Sequence, residues 1–294
     1  MLTLARVIDA FASARTFDRG TLSRLEFWNQ QLGDRDFATI TEDDIDAATM
    51  VLLQRDRLQA GRGRRVTQPS GQPISPATLN RYRTQYESLV RFARKSGIVS
   101  RKFVSPTKGI ERYTEKSDPN RYLRAPEIER ILAQARVLDR RWGRMTALIV
   151  MAWHCGLRKG NLLALRWADV DLITRTVTVV RTKNGDALTS PLSTRCMKEL
   201  ATLPVQHPQA LVFGNRFGQA FSFKNLWAKC CTQAGLPGRN FHQLRHACGS
   251  ELARQNIGQA AIMSYMGHRS LRASARYMHL NVDDRRAVTQ KVFG

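Results

Sequence analysis

Residues 241–252 read FHQLRHACGSEL and set His242 and Arg245 three positions apart. On a helix that spacing puts both side chains on one face. Downstream, MGHRSLRASARYMHL (266–280) carries His268 after Gly267, and Tyr277 nine positions later. Upstream, GLRKGNLLALRW (156–167) places Arg158 just after a helix-ending glycine. Between these lies TVTVVRTKNGDALTSPL (176–192), with alternating β-branched residues and Asn184-Gly185 at its centre. That pattern predicts a β-hairpin presenting Lys183 beside its turn. Singly, each element has an ordinary explanation. A lone Arg or Lys is a surface charge, His242 can cap a helix, His268 can end one, and Tyr277 can sit half-buried with its hydroxyl in water.

Outward from these motifs the chain is mostly helical in pattern. Residues 3–17 place Leu4, Val7, Ile8 and Phe11 at helical spacing, and a second helix near 21–32 carries Leu22, Leu25, Phe27 and Trp28. Thr41 precedes acidic residues and the run Ile45, Ala48, Val51, Leu52, as an N-cap does. GRGRRVTQPSGQPISP (61–76) reads as a loop. It is either a solvated connector or a basic loop that tracks a backbone with Arg62, Arg64 and Arg65 near phosphates. Ser75-Pro76 opens a long helix to about Ser96, closed by Gly97. Leu79, Tyr82, Tyr86, Leu89 and Ala93 form its apolar stripe, and Arg81, Arg91, Arg94 and Lys95 lie largely off it. Residues 105–122 hold two prolines and no sustained period, as a linker does. Helices are then expected from Ala125-Pro126 and over Arg144–Cys155, and again from about residue 193.

The chain has 294 residues, enough for about two domains. Apolar residues make up 43%, which supports a buried core. No run approaches the length of a membrane span, and the N-terminus lacks the apolar stretch of a signal peptide, so an intracellular protein is expected. The formal net charge of +23 favours a polyanionic partner, nucleic acid before anionic membrane. The cysteines, Cys155, Cys196, Cys230, Cys231 and Cys248, are odd in number and lack CxxC spacing. They read as small apolar residues in helices rather than a disulfide framework or a zinc ribbon.

Taken together, in this order and at these spacings, the motifs resemble the tyrosine recombinase family, the phage integrases and their relatives. The resemblance rests on Arg158 in G-L-R, Lys183 on the hairpin, His242 and Arg245 in H-x-x-R, Gly267-His268, and Tyr277. It covers about 124–294 with specific motifs and 1–107 more weakly, through SPATLNRYRTQYESLVRFARKSGIVSRKFVSP. Two positions depart from the common pattern: Asn161, where many members have an acid, and Gln243, where many have Asp. Both are supporting positions. Their identity bears on how Arg158 and His242 are braced.

The resemblance implies a mainly α fold. Residues 1–107 would be an all-helical core-DNA-binding domain, 108–122 a linker, and 123–294 a mainly helical catalytic domain with a small antiparallel β-sheet. It implies a site-specific DNA recombinase acting on double-stranded DNA at attachment or recombination sites through a 3′-phosphotyrosine intermediate. The site would be Arg158, Lys183, His242, Arg245, His268 and Tyr277, with no cofactor and no metal. DNA contacts are expected from Arg62, Arg64, Arg65, Arg81, Arg91, Arg94 and Lys95. A homotetramer on DNA is implied, an accessory DNA-bending protein is left open, and a bacterial cytoplasmic, nucleoid-associated location follows.

The residue types suit the chemistry. Displacement at a phosphodiester loads charge onto non-bridging oxygens, so catalysis is positioning plus electrostatic stabilisation. Two guanidiniums can clamp those oxygens bidentately, which a lysine cannot. Competing readings are a Xer-type dimer resolvase, a type IB topoisomerase and a non-catalytic DNA-binding protein of the same fold. The length suits integrase and resolvase alike, on the expectation that no arm-site-binding domain precedes the first helix. The basic stretch at 59–76 favours the integrase. A short helix over 284–293, DRRAVTQKVF, is expected to dock on its own domain or on a neighbouring subunit.

Overall fold

The structure is a computed structural model that describes residues 2–60, 67–115, 122–180, 187–204, 207–268, 270, 274–275 and 290. For 57–60 and 67–70 it describes the backbone only. Arg62, Arg64, Arg65, Lys183, the Asn184-Gly185 turn, Tyr277 and the tail helix except Gln290 lie outside the described residues. The chain divides into two compact units, Met1–Ser117 and Asp118–Gly294.

Among the described residues the first unit holds four helices and two paired strands: α1 (Leu4–Ser13), α2 (Arg19–Leu32), α3 (Glu42–Leu53), strands β1 (Asp56–Ala60) and β2 (Thr67–Pro73), and α4 (Pro76–Lys95). The stripe Leu4, Val7, Ile8 and Phe11 on α1 is buried, as its spacing predicts. It meets Leu25, Phe27 and Trp28 of α2, Ile45 and Leu52 of α3, and Leu79, Tyr86, Leu89 and Ala93 of α4. Thr41 caps α3 in a reciprocal box with Asp44, and Ser75 caps α4 with Pro76 in its first turn. The Trp28 indole N–H donates to the Tyr82 carbonyl at 3.1 Å, tying α2 to α4.

Three features depart from the sequence reading. Residues 67–73, read as part of a loop, pair antiparallel with 56–60, so this unit is not all-helical. The strands carry no alternating apolar pattern, and β2 holds Pro69, Gly71 and Pro73. A two-stranded ribbon has only edge strands, where proline is tolerated and turn-like composition hides the pairing. Second, the first unit extends past residue 107. Asn80 of α4 donates its side-chain amide to the Tyr113 carbonyl at 2.9 Å and accepts from the Tyr113 N–H at 3.1 Å, so 108–115 are packed on α4 rather than strung between domains. Third, Arg94 donates from Nε at 2.8 Å to the Phe103 carbonyl, which bolts the turn after α4 to the helix.

The second unit is built around α6 (Arg144–His154), whose residues Met145 to Ala152 are all at most 3% exposed. Such a helix needs neighbours on every side. They are α5 (Ala125–Leu138), α7 (Lys159–Ala164), α8 (Thr194–Ala201) and α10 (Gln243–Arg254). The Asp139 carboxylate accepts the Met145 N–H at 2.7 Å and so satisfies an orphan donor at the start of α6. A three-stranded antiparallel sheet runs β3 (Val170–Asp171), β4 (Thr176–Val179), β5 (Leu188–Pro191). Val177 pairs with Ser190 and Val179 with Leu188, so the strands flanking the predicted hairpin tip are in register. Helices α9 (Lys224–Gln233) and α11 (Gln259–Tyr265) also belong to the described part of the unit. All five cysteines are free and buried there. No helix among the described residues is long and apolar enough to cross a membrane.

One buried group in the first unit is out of balance. The Tyr86 hydroxyl is buried without a hydrogen-bond partner among the described residues, and burial pushes its phenol pKa well up. Leaving a buried hydroxyl unpaired costs roughly 1–3 kcal/mol. Tyr86→Phe is therefore expected to raise the urea midpoint of the first unit by an amount worth about 1 kcal/mol. Trp28 fluorescence, from a ring 5.1 Å from Tyr86, reports the transition. A lowered midpoint would show that the hydroxyl holds an ordered water.

Candidate active site

The site grows from the end of α6. Helix α6 stops at Cys155 and the chain turns through Gly156, at φ +59°, into the extended residue Arg158, which precedes α7. A Cβ at Gly156 would sit 3.0 Å from the Cys248 sulfur of α10, so both conformation and space demand glycine there. The same device recurs at Gly267, at φ +59°, where an added Cβ would meet Leu188 of β5 at 3.0 Å. Strand β5 thus presses directly on the residue before His268.

Arg245 joins the two glycine turns. It is 4% exposed, and its guanidinium donates to the carbonyl of Gly156 and, at 2.5 Å, to the carbonyl of Met266. One side chain on α10 therefore spans from the G-L-R element to the M-G-H element. His242, one turn earlier at the start of α10, is exposed, so the H-x-x-R pair puts an accessible imidazole above a buried guanidinium. The His242 N–H donates to the Asn240 side chain at 2.9 Å. His268 is half-buried and its N–H donates to the Met263 carbonyl at 2.9 Å, closing the turn after α11.

Arg158 is half-buried, and its Nη1 is buried without a hydrogen-bond partner among the described residues. The Asn161 side-chain N–H group, one turn along α7, is in the same condition. A buried guanidinium edge with no acceptor is costly and favours an incoming oxyanion.

Behind the arginines lies a polar brace that the sequence reading did not single out. The Tyr265 hydroxyl of α11 donates to the His154 carbonyl at 2.7 Å, and the Cys248 thiol reaches the same carbonyl at 3.8 Å. His154 shares a proton with the Ser193 hydroxyl across 2.8 Å. Burial, aided by the Arg195 charge and opposed by Glu129, holds His154 below the ordinary imidazole value, so it stays neutral near pH 7. Burial also pushes the Tyr265 phenol up, and the Cys248 thiol up to about 12, so both keep their protons. Tyr265 stands three positions after the buried Ile262 and packs against the Ile262 and Met266 pair, so it reads as plain core until its hydroxyl finds a carbonyl.

Of the expected DNA-contact residues described here, Arg81, Arg91 and Lys95 are exposed on α4, whereas Arg94 is half-buried and held by Phe103. Among the sites in the second unit, the structure brings together Arg158, Arg245 and His268 through the two glycine turns, with His242 on the same helix as Arg245.

A lysine at 245 has one nitrogen and cannot reach both carbonyls. Arg245→Lys is expected to destabilise the second unit by about 1–3 kcal/mol, since it strands a buried acceptor and leaves a poorly paired charge. Chemical denaturation followed through cysteine exposure checks it, because all five thiols belong to that unit. An unchanged midpoint would show that the bridge carries no stability.

Comparison with known proteins then identifies the assembly. The model of the phage integrase family matches residues 121–284. A shufflon-specific DNA recombinase of Escherichia coli is 30% identical over 76% of this chain, an alignment that spans 58% of the recombinase itself. The type 1 fimbriae regulatory protein FimE of Escherichia coli K12 is 30% identical over 55% of this chain and 86% of its own length. Among solved structures, a Tn1549 transposon integrase in complex with transposon right end DNA superposes with a TM-score of 0.74 at 15% identity, covering all of both chains. A lambda integrase dimer bound to a COC′ core site gives 0.67 at 16%, covering 97% of this chain and 96% of that one. At those identities the structural likeness speaks for the fold, and the family match together with the curated relatives speaks for descent: the chain belongs to the phage integrase family, the tyrosine recombinases.

Proposed function

We propose that this chain is a site-specific DNA recombinase of the integrase type, serving a phage or other mobile element. The observation that carries the reading is the pair of arginines at the glycine turns: Arg245 locked into position by two carbonyls, and Arg158 with a buried N–H edge that has no acceptor among the described residues. A scissile phosphate supplies that acceptor. The relatives support the same reading, since one is named a DNA recombinase and the two integrase structures hold DNA.

In this mechanism the Tyr277 oxygen attacks phosphorus, a phosphotyrosine bond forms and the bond to the 5′ oxygen breaks. A phenol with a pKa of about 10 is neutral at pH 7, so its proton must leave as it attacks. His242, exposed at the start of α10, accepts it. The departing 5′ oxygen takes a proton from Lys183, and His268 donates a hydrogen bond to the phosphate. The 3′-phosphotyrosine conserves the energy of the phosphodiester, so a 5′ hydroxyl of another strand reverses the step without ATP. The chemistry calls for neither a metal nor a cofactor.

The first unit is the core-DNA-binding domain in this reading. Arg81, Arg91 and Lys95 meet phosphates, with Arg62, Arg64 and Arg65 on the segment between β1 and β2. Arg94 contributes by shaping the turn at Phe103. Residues 108–122 lead into the catalytic domain. Four copies act together on paired double-stranded sites in the bacterial cytoplasm, with or without an accessory bending protein.

Tyr277→Phe is expected to bind half-site DNA as the parent does and to form no covalent adduct on a nicked suicide substrate. Adduct formation by the Phe variant removes Tyr277 as nucleophile. Lys183→Ala is expected to slow cleavage more than binding. A substrate with a bridging 5′ sulfur, which departs without a proton, should then recover most of the lost rate. Without that recovery, Lys183 is not the acid.

A further inference from the structure

Two rings stacked in succession from His242 belong to none of the roles above. The His246 ring packs edge-on against His242, with centroids 5.0 Å apart and planes at 87°. On its other side, the Tyr122 ring lies 5.0 Å from His246 at 43°. The three rings form a continuous column from the first described residue of the second unit to the exposed imidazole of His242. Tyr122 is well anchored. Leu123 beside it is 1% exposed in the core, and the Arg124 N–H donates to Glu127 at 2.8 Å as α5 begins.

We propose that His246 and Tyr122 are positioning residues that fix the rotamer of His242, so that the segment leading into the catalytic unit sets the aim of the base. The proposal rests on the reading of His242 as the proton acceptor. His242 stands at an exposed helix start, where a side chain samples several rotamers unless a neighbour restricts it. An edge-to-face ring contact removes that freedom without competing for the ring nitrogens, because aromatic pairs of this geometry attract through ring face and ring edge. His246 is carried by the same helix as His242, one turn on, so its own ring needs a second wall. Tyr122 supplies it from a different part of the chain. No chemistry passes through either residue, and neither touches the phosphate.

The test separates positioning from folding and from DNA binding. Single-turnover cleavage of a nicked suicide half-site and half-site affinity by mobility shift are measured for Tyr122→Leu, Tyr122→Phe, His242→Gln and the double variant Tyr122→Leu with His242→Gln, all in the full chain. Misaiming a catalytic group by about an ångström costs up to roughly 100-fold, so Tyr122→Leu should cleave about 10- to 100-fold more slowly. Its half-site affinity should stay within about twofold, a contact beside the base being no phosphate contact. Tyr122→Phe, which keeps the ring and loses only the hydroxyl, should cleave as the parent does. In the His242→Gln background the Leu substitution should cost nothing more, because there is no base left to aim. His246→Leu asks the same question from α10 should Tyr122→Leu not fold, and the same slow cleavage with retained affinity is expected. Parental cleavage by the Leu variants, an equal loss of affinity, or a further loss in the His242→Gln background overturns the positioning role. Cleavage by His242→Gln at the parental rate overturns the base assignment itself, and the proposal with it.

Discussion

A buried guanidinium held by two backbone carbonyls is the constraint on which the second unit turns. Arg245 reaches the carbonyl of Gly156 in one direction and that of Met266 in the other. Those carbonyls lie at the ends of helices that the chain forms more than a hundred residues apart. Burying such a charge is expensive unless its donors are satisfied. Here the acceptors come from main chain, which cannot be mutated away, and the two turns that expose them are held in shape by glycine. The two turns are therefore fixed by one side chain and the backbone, the kind of preorganisation that an anion-binding site requires.

The glycine turns also explain why the sheet matters to a mainly helical domain. Leu188 of β5 lies against Gly267, and β5 pairs with β4 along Thr176–Val179. The root of the hairpin is thus registered against the His268 turn. The α6 C-terminus is registered in turn by Cys248 and Tyr265, both held on the His154 carbonyl. Small residues and backbone acceptors do the aligning.

Much of this was legible in the sequence. The stripe on α1, the caps at Thr41 and Ser75, and the paired strands around residues 176–191 follow from local periodicity and turn chemistry, which short stretches of chain determine by themselves. Spacing also foretold local placement: His242 and Arg245 fall one turn apart at the start of one helix, and a helix-ending glycine precedes Arg158. What escaped depends on partners distant in sequence. The β1–β2 hairpin hides behind proline and glycine. Residues 108–115 look like a linker until Asn80 engages Tyr113. Arg94 looks like any basic residue on a solvated face until the chain returns to place Phe103 under it. Tyr122 and His246 carry no signal, because a stack between rings 124 positions apart leaves no mark on either local sequence.

The distribution of two residue types gives the chain built-in reporters. Every cysteine lies in the second unit and is buried, and Trp28 is the one tryptophan of the first. Thiol reactivity under native conditions therefore measures how often the packing around α6, α8, α9 and α10 opens, while the emission of a single-tryptophan variant that retains Trp28 follows the helices that would carry the phosphate contacts. Local opening free energies differ between cooperative segments of one molecule. In this chain they can be resolved unit by unit with the residues already present on one side, and with four tryptophan replacements on the other.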